Sequence, residues 1–220
     1  IFSDIPGDSF EHTASAPTYL DTTTIADAQA IVDRYQLGTY NLTETPKDPK
    51  YFEKVTNIPL VSNLEVLAAM EQAAKNQGLP TTVISAELYE DTETVAQRFV
   101  RSALPGTVTL GAGEPKVVVT RPGGTGGRCQ RLGTDILPLL ADGDVFAAVA
   151  SDGLDNGTAA GVIEDSTTRA RIATKNLNLP DYHERFDSQR LYEQLGHELL
   201  MSGPTEANVS DFMVLYRPKR

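Results

Sequence analysis

Apolar residues recur at helical spacing at Ile25, Ala28, Val32 and Tyr35, with Asp21 ahead of them as a cap and Gly38 where such a helix stops. Residues 39 to 56 are polar and carry prolines, which predicts a loop or linker. Ile58 to Val61 predicts a short buried strand. Ser62 or Asn63 then caps a helix carrying Leu64, Leu67, Ala68 and Ala74 and closed by Gly78. Thr81 to Ser85 is rich in β-branched residues and predicts a second strand, and Asp91 opens a third helix through Val95, Phe99 and Val100. Strand, helix, strand, helix with short connections is the pattern of a parallel α/β layer.

Pro105-Gly106 is the expected boundary between a domain over residues 1–104 and another over 105–220. Beyond it, Thr107 to Leu110 and Lys116 to Arg121 predict a hairpin or neighbouring strands around Gly111-Ala112-Gly113-Glu114. Asp144 to Ala150 is almost wholly apolar and predicts a central strand buried on both faces. Ala159 to Asn176 predicts a helix broken near Asp165-Ser166. Asp187 or Ser188 caps a helix through Leu191, Leu195 and Leu199, and Phe212 to Tyr216 predicts the last strand. The fold class is α/β.

One stretch adds chemistry to this pattern. Pro122-Gly123-Gly124-Thr125-Gly126-Gly127-Arg128-Cys129-Gln130 follows the β-prone Val117 to Arg121 and precedes an apolar helical run from Leu132 to Leu140. Strand, glycine loop and helix turn backbone N–H groups and a helix N-terminus towards one point, which favours anions. Arg128 at the loop exit can meet a carboxylate or phosphate in two-pronged fashion. An ordinary surface hairpin is the competing reading of the same glycines. A second candidate follows the predicted central strand. Asp152 and Asp155, in Ser151-Asp152-Gly153-Leu154-Asp155-Asn156-Gly157-Thr158, stand beyond its carboxyl end, where open α/β sheets bind ligands. An Asp/Gly turn is the alternative there.

Composition narrows the function class. Lys plus Arg number 19 and Asp plus Glu 30 in 220 residues, a net charge of −11, which argues against wrapping nucleic acid or anionic lipid. No stretch approaches the ~20 apolar residues of a membrane helix. The single cysteine, Cys129, cannot form an internal disulfide, which fits a reducing, cytoplasmic setting. The chain opens on Ile1, as a strand already in progress would, and reads as a fragment. His12, His183 and His197 show no metal-ligand spacing.

Five motifs, in order, resemble the class II glycerate kinases, the glycerate 2-kinase family with a C-terminal MOFRL domain. Ser3-Asp4-Ile5-Pro6-Gly7-Asp8 with Ala14-Ser15-Ala16-Pro17-Thr18 looks like that family's SDVPGD and ASGPT segments. Gly111-Ala112-Gly113-Glu114 looks like its GGGE turn, and Gly126-Gly127-Arg128-Cys129-Gln130 like GGRNQ. Ser151 to Asp155 with Ala159-Ala160-Gly161 looks like TDGIDG and AAG, and residues 202–211 look like TGPTGTNVND. Ala16, Cys129, Arg131, Asn156 and Ala207 depart from these patterns.

The resemblance implies the back part of a Rossmann-like parallel-sheet domain followed by a MOFRL-like domain with a mixed sheet. It implies transfer of the γ-phosphoryl group of ATP to the 2-hydroxyl of D-glycerate, with Mg²⁺ as cofactor. Arg128 would bind the glycerate carboxylate or the moving phosphoryl group, and the amides of Gly124, Gly126 and Gly127 would hold an anion. Asp152 or Asp155 would hold the metal, and either could instead accept the substrate proton. Asp4, Asp8, Ser15 and Thr18 would line a facing wall, with Thr205, Asn208 and Asp211 closing the site and Glu114 anchoring Arg128 or touching ligand. The family's catalytic lysine has no counterpart here, so the 220 residues alone are expected to be inactive. D-glycerate and a nucleotide are the expected partners, and a homodimer is left open. The competing functions are a hydroxypyruvate reductase using NAD(P)H and a degenerate, non-catalytic anion-binding module. The glycine run lacks the third glycine of a dinucleotide fingerprint and the Gly-Lys-Ser/Thr of a Walker A loop.

Overall fold

The computed structural model describes residues 11, 15–58, 61–120 and 123–219. It forms two compact units, Ile1–Leu60 and Val61–Arg220. The first holds helix α1 (Ile25–Tyr35) and a 3-10 turn at Pro49–Tyr51. Its N-cap is Thr24 rather than Asp21. Thr24 and Asp27 bond each other's backbone N–H groups reciprocally, which satisfies two donors the helix leaves open. Asp21 instead accepts from the N–H of Thr23 at 2.8 Å and pairs with Lys47 at 3.2 Å. No strand forms at Ile58 or Val61, which are 71% and 59% exposed; residues 59 and 60 lie outside the described residues.

The second unit is one six-stranded mixed sheet with helices on both faces. In chain order it comprises α2 (Asn63–Asn76), β1 (Thr81–Ser85), α3 (Thr92–Ser102), β2 (Thr107–Gly113), α4 (Arg128–Ile136), β3 (Val145–Ala150), β4 (Gly161–Asp165), α5 (Thr168–Thr174), α6 (Leu179–Glu184), α7 (Ser188–Leu195), β5 (Leu199–Leu200) and β6 (Asp211–Arg217). The strand order is β1-β2-β6-β3-β4-β5. Among the named strands β1 and β2 pair in parallel and the other pairings are antiparallel. The boundary expected at residues 104/105 therefore falls inside a single sheet, and the division the structure shows lies at Leu60/Val61.

Period-two alternation divides the core between the two faces. Met213 and Leu215 of β6 join Phe99 of α3, Leu132 and Ile136 of α4 and Phe146 of β3 on one face. Phe212 of the same strand joins Leu110 and Ala112 of β2 beneath Leu67 of α2 on the other. Phe99 and Phe146 meet edge to face with centroids 5.8 Å apart, a pairing that adds about 1 kcal/mol beyond area burial.

Two segments depart from their local pattern for tertiary reasons. Lys116 to Thr120 is β-prone but forms no strand, and Val118 and Val119 are exposed. Both sides of β2 are taken, by β1 and β6, and the run makes only an isolated bridge, between Lys116 and Asp91. Residues 161–165, expected to be helical, form β4 between β3 and β5. A side chain at Gly161 would collide with the carbonyl oxygen of Ala148. Leu199, expected on a helix, is in β5 because α7 stops at Gly196, whose φ is 102°.

The last strand sets up the functional end of the sheet. Asp211, the first residue of β6, lies in register with Gly113 at the end of β2 and with Ala150 at the end of β3. Glu114, Asp152 and Asp211 thus come to one edge of the sheet, beside the start of α4.

Candidate active site

A cavity of about 480 Å³ opens at that edge, a volume suited to a small organic ligand. Its walls include the glycine loop, Arg128 and Arg131 of α4, Asp152 and Asp155 after β3, Phe186 and Asp187 before α7, and Asn208 and Asp211.

Arg128 is one of two arginines on its wall. The guanidinium donates through Nε to Asp211 Oδ2 at 2.9 Å and through Nη1 to Glu114 Oε2 at 3.0 Å. Its side chain is 40% exposed, whereas that of Asp211 is 3% exposed. Burial pushes the Asp211 carboxyl up to about 6, against the opposing pull of Arg128. An exposed cation clasped by a buried, easily protonated carboxylate can exchange that partner for a ligand anion.

The glycine loop does other work than expected. The Gly124 N–H donates to the Arg185 carbonyl at 2.9 Å, the Thr125 N–H to Asp187 Oδ1 at 3.1 Å, and the Gly126 N–H to the Asn156 carbonyl at 3.3 Å. The amides of Gly124 and Gly126, two of the three read as an anion cradle with Gly127, are given to protein acceptors in this structure. The glycines are needed because protein comes so close. A side chain at Gly124 would strike Asp187, one at Gly126 would strike Ser188, and one at Gly127 would strike Asp155.

Asp155 has a parallel fate. It accepts the N–H of Cys129 at 3.1 Å on one carboxylate oxygen and that of Gln130 at 2.8 Å on the other. It supplies the cap that Gly127, the N-cap residue of α4, cannot. Burial raises its carboxyl above the usual range, and the helix N–H groups oppose that rise. This is the chemistry of a helix cap. Asp152 is the better hard-oxygen donor. It lines the cavity, forms no ion pair among the described residues, and engages Oδ1 only with the N–H of Leu154 at 2.9 Å.

Thr205 is not on the cavity wall. Its hydroxyl donates to the Ser151 carbonyl and its N–H to the Asp152 carbonyl at 2.9 Å, which fixes the acidic loop from behind. Asn208 does line the cavity, while its Oδ1 accepts the N–H of Ser210 at 3.2 Å. Ser15 and Thr18 belong to the first unit. Ser15 is exposed with φ 61°, and the Thr18 carbonyl accepts from Asn57 at 3.5 Å. Ala16 has φ 50°, in the left-handed region that glycine tolerates best, which accounts for the glycine of the family pattern there. Asp4 and Asp8 lie outside the described residues. Cys129 is fully buried, which pushes its thiol well up and suits packing rather than nucleophilic work.

The sequence reading missed the end of the cavity formed by α6. His183 is joined to Asp135 through Nε2 at 2.5 Å and to Arg131 through Nδ1 at 3.0 Å. Glu93, Asp135 and His183 could bring ligand atoms within 4.8 Å of one another, but Arg131 Nε stands 3.6 Å from Asp135 and already supplies the positive charge. Only Arg131's departure from the family motif marked this region in the sequence.

Residues 107–211 match the MOFRL family, and residues 1–45 match a domain of unknown function, DUF4147. A D-glycerate 2-kinase of Thermotoga maritima is 29% identical over 97% of the chain and 55% of its own length. An Agrobacterium vitis protein named as a provisional hydroxypyruvate reductase is 28% identical over 98% of the chain and 53% of its own length. A crystal structure of a glycerate kinase from Thermotoga maritima superposes with a TM-score of 0.87 at 25% identity, over 98% of this chain and 55% of that one. The chain is similar to glycerate 2-kinases, its residues 107–211 match the MOFRL family model, and it spans about half the length of the curated relatives it matches.

Proposed function

We propose that the chain provides the α/β part of an ATP-dependent glycerate 2-kinase that phosphorylates D-glycerate at its 2-hydroxyl. The observation that carries this reading is Arg128, held in the cavity by Asp211 and Glu114 at the converging ends of β2, β3 and β6. Phosphoryl transfer asks for alignment and charge neutralisation more than for covalent help. Arg128 leaves its carboxylates for the glycerate carboxylate or the moving phosphoryl group. Asp211, with its raised proton affinity, takes the proton of the attacking hydroxyl. Asp152 is the residue suited to hold Mg²⁺, which when bound neutralises phosphate oxygens. Thr205 keeps that aspartate in place, and Asp155 keeps α4 and Arg128 in place.

A reductase named among the relatives is the second reading, but no glycine fingerprint opens a helix here in the dinucleotide manner, and the loop amides are occupied. On the kinase reading, the 220 residues bind ligand without turning over, because the matched kinases extend over about twice this length. A coupled assay on a protein of the relatives' length decides. D-glycerate-dependent ADP release is the expected result. NAD(P)H oxidation with hydroxypyruvate would replace this reading with the reductase, and neither activity would leave a binding module.

A further inference from the structure

The end of the cavity away from the Arg128 chemistry contains a backbone anomaly. Phe186 follows α6 with φ 55°, in the left-handed region where a bulky residue is strained. The surrounding bonds form a regular helix stop: the Phe186 N–H reaches the His183 carbonyl at 3.3 Å and the Asp187 N–H reaches the Tyr182 carbonyl at 3.0 Å. Phe186 therefore sits where such a stop ordinarily places glycine. An aromatic ring kept at that position calls for a reason other than chain reversal.

The ring is half-buried, lines the cavity, and lies beneath the Arg131 guanidinium at 5.2 Å. That guanidinium is immobilised. Nη1 donates to the His183 carbonyl at 2.6 Å, Nη2 meets His183 Nδ1 at 3.0 Å, and Asp135 stands 3.6 Å from Nε. Its side chain is only 15% exposed and its charge is balanced by Asp135, so it is poorly placed to take an anion. What this end presents is a rigid, flat, nearly neutral wall of ring and guanidinium. Asn156 and Ser188 on the same cavity supply polar groups within one pocket. Flat walls with polar rims select flat heterocycles.

We propose that Phe186, backed by Arg131, is the stacking platform for the base of a purine nucleoside, and that the same cavity receives the attached phosphates towards Arg128. The assignment rests on the kinase reading in identifying the nucleotide as ATP; the stacking itself does not depend on turnover.

The test uses calorimetric binding of adenosine, ADP and D-glycerate to the 220-residue chain, with thermal melts of each variant. Phe186→Gly relieves the strained φ, so its Tm is expected to hold or rise, while adenosine and ADP bind at least ~10-fold more weakly and D-glycerate binding is unchanged. Phe186→Tyr keeps a ring and is expected to restore nucleoside affinity. An unchanged adenosine affinity in Phe186→Gly, or no adenosine binding by the parent chain, overturns the proposal. In the longer kinase, a KM for ATP that ignores Phe186→Gly sinks this inference and leaves the kinase. Phe186-dependent adenosine binding without D-glycerate-dependent ADP formation sinks the kinase and leaves the platform.

Discussion

Arg128 and Arg131 stand one turn apart on α4 and line the same cavity, yet the fold treats them oppositely. Arg128 is 40% exposed and held by two carboxylates from other parts of the chain; Arg131 is 15% exposed and fixed by His183, Asp135 and the Phe186 ring. The first is a cation that can change partners. The second has become part of the wall. Residue type does not separate these roles; the depth and number of their partners do.

The sharpest way to test the contrast is to remove each arginine. Arg128→Ala is expected to lower kcat/KM of the longer enzyme at least ~100-fold, about 2.7 kcal/mol. Near-normal kinetics would remove Arg128 from the site. Arg131→Ala is expected to lower stability by about 2 kcal/mol in denaturant titration, because Asp135 and His183 lose a buried partner. A fully stable Arg131→Ala variant would make that residue as free as Arg128 and erase the distinction.

Smaller effects probe the supports of Arg128. Asp155→Ala withdraws the acceptor from two N–H groups of α4 and is expected to cost about 1–2 kcal/mol of stability, with Arg128 still present but less well aimed. An unaltered melt would mean that α4 needs no such cap. Asp211 gives the gentlest test, through pH. Its folded carboxyl is raised to about 6, above its unfolded value near 4, so the folded state holds the proton more tightly. The stability this lends is full below about pH 4 and is lost as pH rises through about 6. Asp211→Asn should flatten that part of the Tm profile between about pH 4 and 7; an unchanged profile would deny the shift.

Much of the architecture was legible because it is local. Ser62, with Glu65 three residues on, forms the capping box of α2, and Asp91 caps α3 through the Thr94 N–H at 2.8 Å. The apolar run before Ala150 forms β3, and residues 211–217 form the last strand. Arg128 and Asp152 do line one cavity, as a site beyond strand ends would have it. The illegible parts depend on distant partners. Residues 161–165 have a helix-compatible composition, but β3 and β5 offer ladder bonds on both sides, and only glycine fits against Ala148 at its start. Lys116 to Thr120 has the composition of a strand, but both sides of β2 are occupied and the run keeps only the bridge from Lys116 to Asp91. Phe186 and His183 carry no spacing signal, since their meaning lies in Arg131, more than fifty residues earlier.

By itself the sequence determined the α/β class, the motifs that resemble those of glycerate kinases, and a glycine-rich loop ahead of Arg128. Only the tertiary structure decided what those glycines serve. A backbone N–H has one hydrogen to give, and in this loop the carbonyls of Arg185 and Asn156 and the carboxylate of Asp187 take those of Gly124, Gly126 and Thr125. These amides are therefore spent on holding the cavity wall together, and on the proposed reading it is the Arg128 side chain that meets a ligand's charge.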